Sequence, residues 1–238
     1  MSSLPPAGLR PPVLASSRFR EHAPHLCNYD RAEVFTFIYE TNLWGSSESP
    51  SGEGSEFLAT ETLRTEIPRL MRRLGVRRLL DAPCGDFGWM SKVDLSGIEY
   101  LGLDLVQAIV DNNQREHQGR LRRFQCLDIV RDPLPQADII LCRDCLVHLT
   151  YKEAREALSN MKESGSTFLL TTTFTQIDRN VDIQTGDWRP LNLMLEPFNF
   201  PPPLDLVNER CEEGDGAYAD KSLGLWRLSD LLVSSFRR

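Results

Sequence analysis

Leu63, Ile67, Leu70 and Leu74 recur at steps of four, three and four, the spacing of one apolar stripe on a helix. Pro68 interrupts that stripe and should kink the helix or sit in the first turn of a second one. From residue 76 the pattern changes to short apolar runs. VRRLLDA (76–82), YLGLDLV (100–106), RRFQCLDI (122–129), ADIILCRD (137–144) and STFLLTTTF (166–174) each read as a strand. Between the second and third, VQAIVDNNQRE (106–116) sets Val106, Ile109 and Val110 on one helical face. After the fourth, Thr150 precedes Glu153 by three, a capping box that opens a helix with Ala154, Leu158 and Met161 on one side. Strands alternating with helices imply an α/β fold, with a parallel sheet covered on both faces and right-handed, doubly wound connections.

In such sheets ligands bind outside the carboxyl ends of the strands. There the chain reads LLDAPCGDFGWM (79–90), with two glycines, Gly85 and Gly88, beside two acids, Asp81 and Asp86. A purely structural turn needs one glycine. Gly85 lets the backbone approach a ligand without a Cβ in the way. Asp104 stands at the tip of the second strand, 23 residues after Asp81, where an acid can accept hydrogen bonds from ribose hydroxyls. Asp128 ends the third strand, and the fourth ends in CRDC. So much negative charge beside a glycine loop is unsuited to a pyrophosphate, and the loop is not G-x-G-x-x-G. A ligand with ribose and adenine but a positive charge in place of phosphates fits better. S-adenosyl-L-methionine (SAM) is such a ligand.

These residues in this order resemble class I SAM-dependent methyltransferases. Their usual loop reads Asp-x-Gly-x-Gly-x-Gly, often as LDLGCGTG. Here LDAPCGDFG matches at Asp81, Cys84 and Gly85, has Pro83 and Phe87 where glycines are usual, and brings Gly88 one place late. The resemblance covers about residues 76–175. It implies a Rossmann-like, mostly parallel seven-stranded sheet, with PLDLVNERC and LGLWRLSDL supplying the last two strands, one of them antiparallel. An N-terminal helical cap and an insertion after strand five complete the expected layout. By the same resemblance Asp81, Ala82, Pro83, Cys84, Gly85 and Asp86 pass under the methionine part of the cofactor. Asp104 and Leu105 hold the ribose, Asp128 and Ile129 bracket the adenine, and Arg143 lies near the methionine end. The polar stretch 44–56, WGSSESPSGEGSE, has the composition of a linker. It stands directly before the first core helix, flanked by Trp44 and Phe57, and is expected to fold over the cofactor, with Trp44 among its contacts.

Two residues are candidates for the chemistry. His148, in CLVHLT between the fourth strand and the capped helix, has the ordinary pKa to take a proton from an acceptor hydroxyl or ammonium. The same residue could instead only shape the pocket. Asp144 is the other candidate base, or a support for His148. The segment 176–203 is too long for an ordinary connection and is expected to be a substrate lid, with a packed structural insertion as the competing reading. Asn180, Asp182, Trp188, Arg189 and Asn192 are its candidate substrate contacts, of the kinds that bind polyols. Cys142 and Cys145 form C-x-x-C without a second pair to complete a metal site, and read as small residues at a crowded strand tip.

The 238 residues suit a single domain of 28–238, preceded by an expected disordered tail over 1–27. The tail's Arg10, Arg18 and Arg20, with serines and no acid over 1–20, faintly resemble a mitochondrial transit peptide, but four prolines oppose the amphipathic helix one needs. A net charge of −7 argues against nucleic acid and anionic membrane as partners. Scattered cysteines read as reduced thiols and favour a cytoplasmic protein. The expected function is methyl transfer from SAM to a small or medium polar acceptor, O-methylation first, with a sugar or glycan hydroxyl as the model acceptor. A non-catalytic relative of the fold and a nicotinamide-dependent oxidoreductase are the alternatives. Nothing in the sequence speaks to oligomeric state.

Overall fold

The computed structural model describes residues 16–26 and 29–233. Strands β1 (Arg78–Asp81), β2 (Glu99–Asp104), β3 (Arg122–Cys126), β4 (Ile139–Cys142), β5 (Phe168–Phe174), β6 (Asp205–Asn208) and β7 (Lys221–Arg227) form one sheet in the order β3-β2-β1-β4-β5-β7-β6. Neighbouring strands are parallel except where β7 runs antiparallel to both β5 and β6. Chain order reverses direction between β1 and β4, so the switch point lies at the tip of β1.

Side chains alternate between two buried faces. Leu79, Leu141, Leu170 and Leu225 face Leu63, Ile67, Leu70 and Met71 of α3 (Glu61–Leu74), joined by Val110 of α4 (Gln107–His117). Leu80, Ile140, Leu169 and Trp226 face Ala154, Ala157, Leu158 and Met161 of α5 (Tyr151–Glu163). Thr150 caps α5 by accepting the Glu153 N–H. Pro68 does not open a second helix: it lies inside α3, which runs as one helix from Glu61 to Leu74.

The helical layers are thinner than the alternation of strands implied. The β1–β2 connection holds only a 3-10 turn at Met90–Lys92, and no helix lies between β3 and β4 or between β5 and β6. On the α5 face the segment after β5 takes the place of a helix. Leu191, Leu193, Phe198 and Phe200 are buried in the core there, and the Trp226 Nε1–H donates to the Pro201 carbonyl at 2.7 Å. Burying four such side chains contributes on the order of 6–12 kcal/mol before the entropy of ordering them. That is too much to lift into water on each turnover. The lid expected over 176–203 is therefore corrected: its second half is part of the core.

The tail expected over 1–27 is corrected too where it is described, and residues 1–15, with most of the transit-like stretch, lie outside the described residues. Phe19 of α1 (Arg18–His22) packs with Val34 and Ile38 of α2 (Arg31–Glu40), whose N-terminus carries a reciprocal capping box between Asp30 and Glu33. Ser16 and Trp188 exchange backbone hydrogen bonds at 2.8 and 3.0 Å, which pins this N-terminal cap to the insertion. Among the described residues no helix is long and apolar enough to cross a membrane.

Arg189 locks the insertion to the loop after β4. Its side chain is fully buried, and its guanidinium donates to the carbonyls of Leu146 and Leu149 at 2.6 Å each and of Val181 at 3.3 Å. Burial pushes it down to about 10, so it stays charged at neutral pH. Arg189→Met keeps the apolar stem but leaves the Leu149 carbonyl without its donor and the Leu146 carbonyl with only the Leu149 N–H at 3.3 Å, at ~1–3 kcal/mol each. Urea denaturation should show a loss of about 2–6 kcal/mol. A loss below about 1 kcal/mol would show that these bonds do not hold the insertion down.

Candidate active site

The loop after β1 is fixed from both sides before any ligand enters. The Ala82 N–H donates to Leu141 of β4 at 2.8 Å, and the Cys84 N–H to Leu103 of β2 at 2.7 Å. Gly85 adopts φ +54, and a Cβ there would stand 2.5 Å from Ser51 Oγ. Its N–H donates to Asp104 Oδ2 at 3.1 Å, while Val106 N–H donates to Oδ1 at 3.0 Å. Asp81, at the tip of β1, accepts from the Tyr100 hydroxyl at 2.6 Å.

These carboxylates line a cleft of about 1060 Å³, open mouth included. Pro83, Cys84, Gly85, Asp86, Leu105, Asp128, Ile129, Arg143 and Trp44 reach it as well. Ala82 does not, since its side chain belongs to the core below the loop. Burial pushes Asp81 up to about 7, a rise that the Tyr100 hydroxyl opposes and the nearby Asp104 reinforces. Burial likewise pushes Asp104 up to about 6 against the N–H groups of Val106 and Gly85. The cleft thus holds two buried carboxyl groups, of which Asp81 feels Arg143 only at a distance that does not offset burial.

Asp128 is less free than expected. Arg31, the first residue of α2, grips it through Nη2 at 2.7 Å and Nε at 3.3 Å, and the Val130 N–H donates to Oδ1 at 2.9 Å. The other arm of Arg31 pairs with Glu153 of α5. An adenine amino group at Asp128 would share the carboxylate with Arg31. The sequence offered no sign of this contact, which spans 97 positions.

The polar stretch 44–56 is no linker. Ser49 Oγ donates to Asp86 Oδ2 at 2.8 Å, and the Asp86 N–H donates to Ser51 Oγ at 2.9 Å. Arg143 donates to the Gly54 carbonyl at 2.7 Å. Pro50, Ser51 and Ser55 thereby form a strap along the cleft wall.

Beyond the strap lies a second cleft of about 1080 Å³, and both clefts are lined by Trp44, Ser51, Asp144 and His148. Trp44 stacks on the His148 ring with centroids 4.7 Å apart. His148 Nδ1 lies 2.9 Å from the Asp187 carbonyl. A carbonyl only accepts, so Nδ1 carries the hydrogen and Nε2 the lone pair. Burial pushes the ring down to about 4, and it is neutral at pH 7. Asp144, at φ +50, is gripped by Lys221 at 2.7 Å and lies 3.4 Å from Arg143. Burial acts to raise its pKa, but the two cations outweigh burial and hold the carboxyl well below the usual range. Such a group is a poor proton acceptor. The expectation of Asp144 as a base is corrected; it supports His148 through its charge alone, while the hydrogen bond that orients the ring goes to the Asp187 carbonyl.

Of the expected substrate contacts, Trp188 alone lines the second cleft. Arg189 is fully buried in its carbonyl bridges. The Asn180 side chain donates to the Asn192 and Glu196 carbonyls and accepts from the Asn192 N–H, the Asn192 side chain accepts from the Met194 N–H, and Asp182 accepts from the Tyr151 N–H at the start of α5. These four hold the insertion in shape. Lys221 and Glu209, missed in the sequence, complete a buried cluster in which Arg143 donates to Glu209 at 2.7 Å.

No family model matches the chain, and no curated protein matches it. Solved structures do. The N-methyltransferase NodS from Bradyrhizobium japonicum WM9, in complex with S-adenosyl-L-homocysteine, aligns over 81% of this chain and 97% of its own, with a TM-score of 0.59 at 16% identity. Strand order and switch point agree with that likeness. The chain has the class I methyltransferase fold. Human N-acetylserotonin methyltransferase in complex with SAM aligns over 89% of this chain and 59% of its own, with a TM-score of 0.52 at 12% identity. The PH0226 protein from Pyrococcus horikoshii OT3 aligns over 74% and 93%, with a TM-score of 0.51 at 14% identity. Within this methyltransferase fold, the strap and the core-forming insertion are built from the segments that the strand pattern alone leaves unassigned.

Gly54 is the strap's tightest point. A Cβ there would stand 3.1 Å from Asp144 Oδ2 and 3.3 Å from Lys221 Nζ. Gly54→Ala should lift the strap while leaving the sheet intact. Limited proteolysis read by mass spectrometry should show cutting within 46–56 accelerated several-fold, by roughly the tenfold that ~1.4 kcal/mol of lost closure implies. Cutting rates equal to those of the unaltered protein would show that Gly54 does not set the closure.

Proposed function

We propose that the chain is a SAM-dependent methyltransferase acting on a hydroxyl of a small or medium polar acceptor, a sugar or glycan hydroxyl being the model case. The observation that carries this reading is the meeting of two clefts at His148, Asp144, Trp44 and Ser51. One cleft suits a cationic nucleoside. Burial raises Asp81 and Asp104, and a positive ligand beside them would favour their charged forms. Asp104 uses two of about four lone-pair positions on backbone N–H groups and keeps the rest for ribose hydroxyls. Leu105, Val106, Leu127 and Ile129 give an apolar slot for adenine, with Asp128 at its edge. The missing Cβ of Gly85 makes room for Ser51 of the strap, which packs against the loop there.

Bound there, SAM would supply a methyl group activated on a sulfonium. The chain's own part is placement and proton handling. Trp44 and the Asp187 carbonyl fix the His148 ring so that Nε2 can accept the acceptor hydroxyl's proton. At a pKa of about 4 this nitrogen is a weak base. It takes the proton only as the new bond forms, and most of the rate comes from positioning. The strap and Trp89 keep water from the cleft wall they cover.

Binding is tested by titration calorimetry with S-adenosylhomocysteine and SAM. Asp104→Ala removes a charge-assisted partner of ~1.5–3 kcal/mol and should weaken both about tenfold to a hundredfold. Protonation of Asp81 at about 7 and of Asp104 at about 6 removes the negative charge that a cation needs. SAM affinity should therefore fall as pH is lowered from 8 to 5.5, approaching about tenfold per pH unit per group below its pKa. A pH-independent affinity, or an unaffected Asp104→Ala, would remove the cofactor assignment.

The proton acceptor is tested with labelled SAM and a metabolite extract, then with the product-forming acceptor. His148→Ala should lower turnover ~10²–10⁴-fold with affinity for S-adenosylhomocysteine nearly unchanged. His148→Asn keeps a donor toward Asp187 but takes no proton. Near-normal turnover in the Asn variant would make His148 a positioning residue.

A further inference from the structure

Resting on the methyltransferase reading, we propose that the second cleft takes an acceptor that carries a protonated amine beside the hydroxyl to be methylated, and that Glu213 anchors that amine. The charged groups at the floor of this cleft do not balance. Asp144, Glu213 and Lys221 line this end of the cleft, with Arg143 and Glu209 paired behind them, so two positive charges face three negative ones there, apart from Arg18, Glu53 and Asp187 elsewhere on the wall. The ion pairs of the two cations go to Asp144 and Glu209, at 2.7 Å in each closest case. Glu213 is left over. Its Oε1 is buried without a hydrogen-bond partner.

That oxygen sits where the strap, the charged cluster and the cleft converge. A Cβ on Gly54 would lie 3.6 Å from it, close to the Asp144 and Lys221 head groups. A ligand hydroxyl would satisfy the hydrogen bond but leave the excess charge. A ligand ammonium would satisfy both, and charge-assisted hydrogen bonds are roughly twice as strong as neutral ones. The rest of the cleft suits an organic cation. Phe174, Trp188 and Tyr218 form an edge-to-face trio with centroids 5.0–6.1 Å apart, and they offer ring faces and edges to the carbon skeleton and to the charge. His148 lines the same cleft where it meets the cofactor cleft, so a molecule anchored by its amine at Glu213 can present a hydroxyl there.

Matched probes test this on the full chain: D-glucosamine against D-glucose, and ethanolamine against ethylene glycol, by ligand-observed NMR titration with and without S-adenosylhomocysteine. The amine of at least one pair should bind about tenfold tighter than its neutral partner. Glu213→Gln should bring that ratio to near one, and Glu213→Asp should restore part of it. Equal binding within both pairs, binding of none of the four, or a preference that survives in Glu213→Gln would overturn the proposal. The unaltered protein alone decides the first two outcomes, whether or not the variants fold. Failure of S-adenosylhomocysteine to bind in the same samples would count against the methyltransferase reading, whereas its binding without any amine preference would sink only the amine anchor.

Discussion

The site depends on a buried ion cluster at the ends of β4, β6 and β7. Arg143 follows β4, Glu209 follows β6, and Lys221 opens β7. Taking such charges out of water costs several kcal/mol per ion, and only close pairing with further hydrogen bonds offsets it. Here Glu209 receives Arg143 at 2.7 Å, Asp144 receives Lys221 at 2.7 Å, and Arg143 spends a further N–H on the strap at Gly54. The geometry is specific enough to hold Asp144 in the left-handed region, with its N–H on Thr172 Oγ1. Removing any single partner would leave an uncompensated charge beside both clefts.

The electrostatic consequence is a division of labour between carboxylates. Asp144 is saturated with cations and fixed in its charged form, so it acts as a standing field rather than a proton carrier. Asp81 and Asp104 accept hydrogen bonds from N–H and O–H groups, with Arg143 acting on Asp81 from a distance, and burial raises them to about 7 and about 6. A cation is therefore welcome at the tips of β1 and β2 and already present at the tip of β4. The same burial that makes His148 a neutral ring lets its fixed tautomer point an unprotonated nitrogen away from the Asp187 carbonyl.

Much of this was legible in the chain. The tips of β1 and β2 carried Asp81 and Asp104 in plain view, because a strand ending in an acid next to a glycine has few structural uses. A parallel, doubly wound sheet followed from alternation and the right-handed rule, and its seven strands from the family resemblance. What stayed hidden has one physical cause, long-range pairing. Arg31 meets Asp128 across 97 positions, and Lys221 meets Asp144 across 77. No local pattern encodes such partners. The insertion misled for a related reason. Asn180, Asp182, Arg189 and Asn192 look like ligand-binding groups, but a segment without regular structure must satisfy its own backbone, and these side chains do that work. The thin helical layer could have been suspected, since 83–98 and 127–138 show no apolar stripe.

The missing helices and the site are connected. Where a helix would cover the sheet and end near the cleft, this chain places irregular segments, and each is tied to the same few groups. The strap is held by Arg143 and Asp86, the insertion by its Asp187 carbonyl on His148, and the turn before β7 brings Glu213 beside Lys221. Backbone without regular structure stays folded only through such side-chain bonds, so order in one segment supports order in the next. Displacing the strap at Gly54 would uncover the cofactor cleft and the second cleft together, since Ser51 borders both. The two clefts thus share one wall, the strap, which the cluster around Arg143 holds in place.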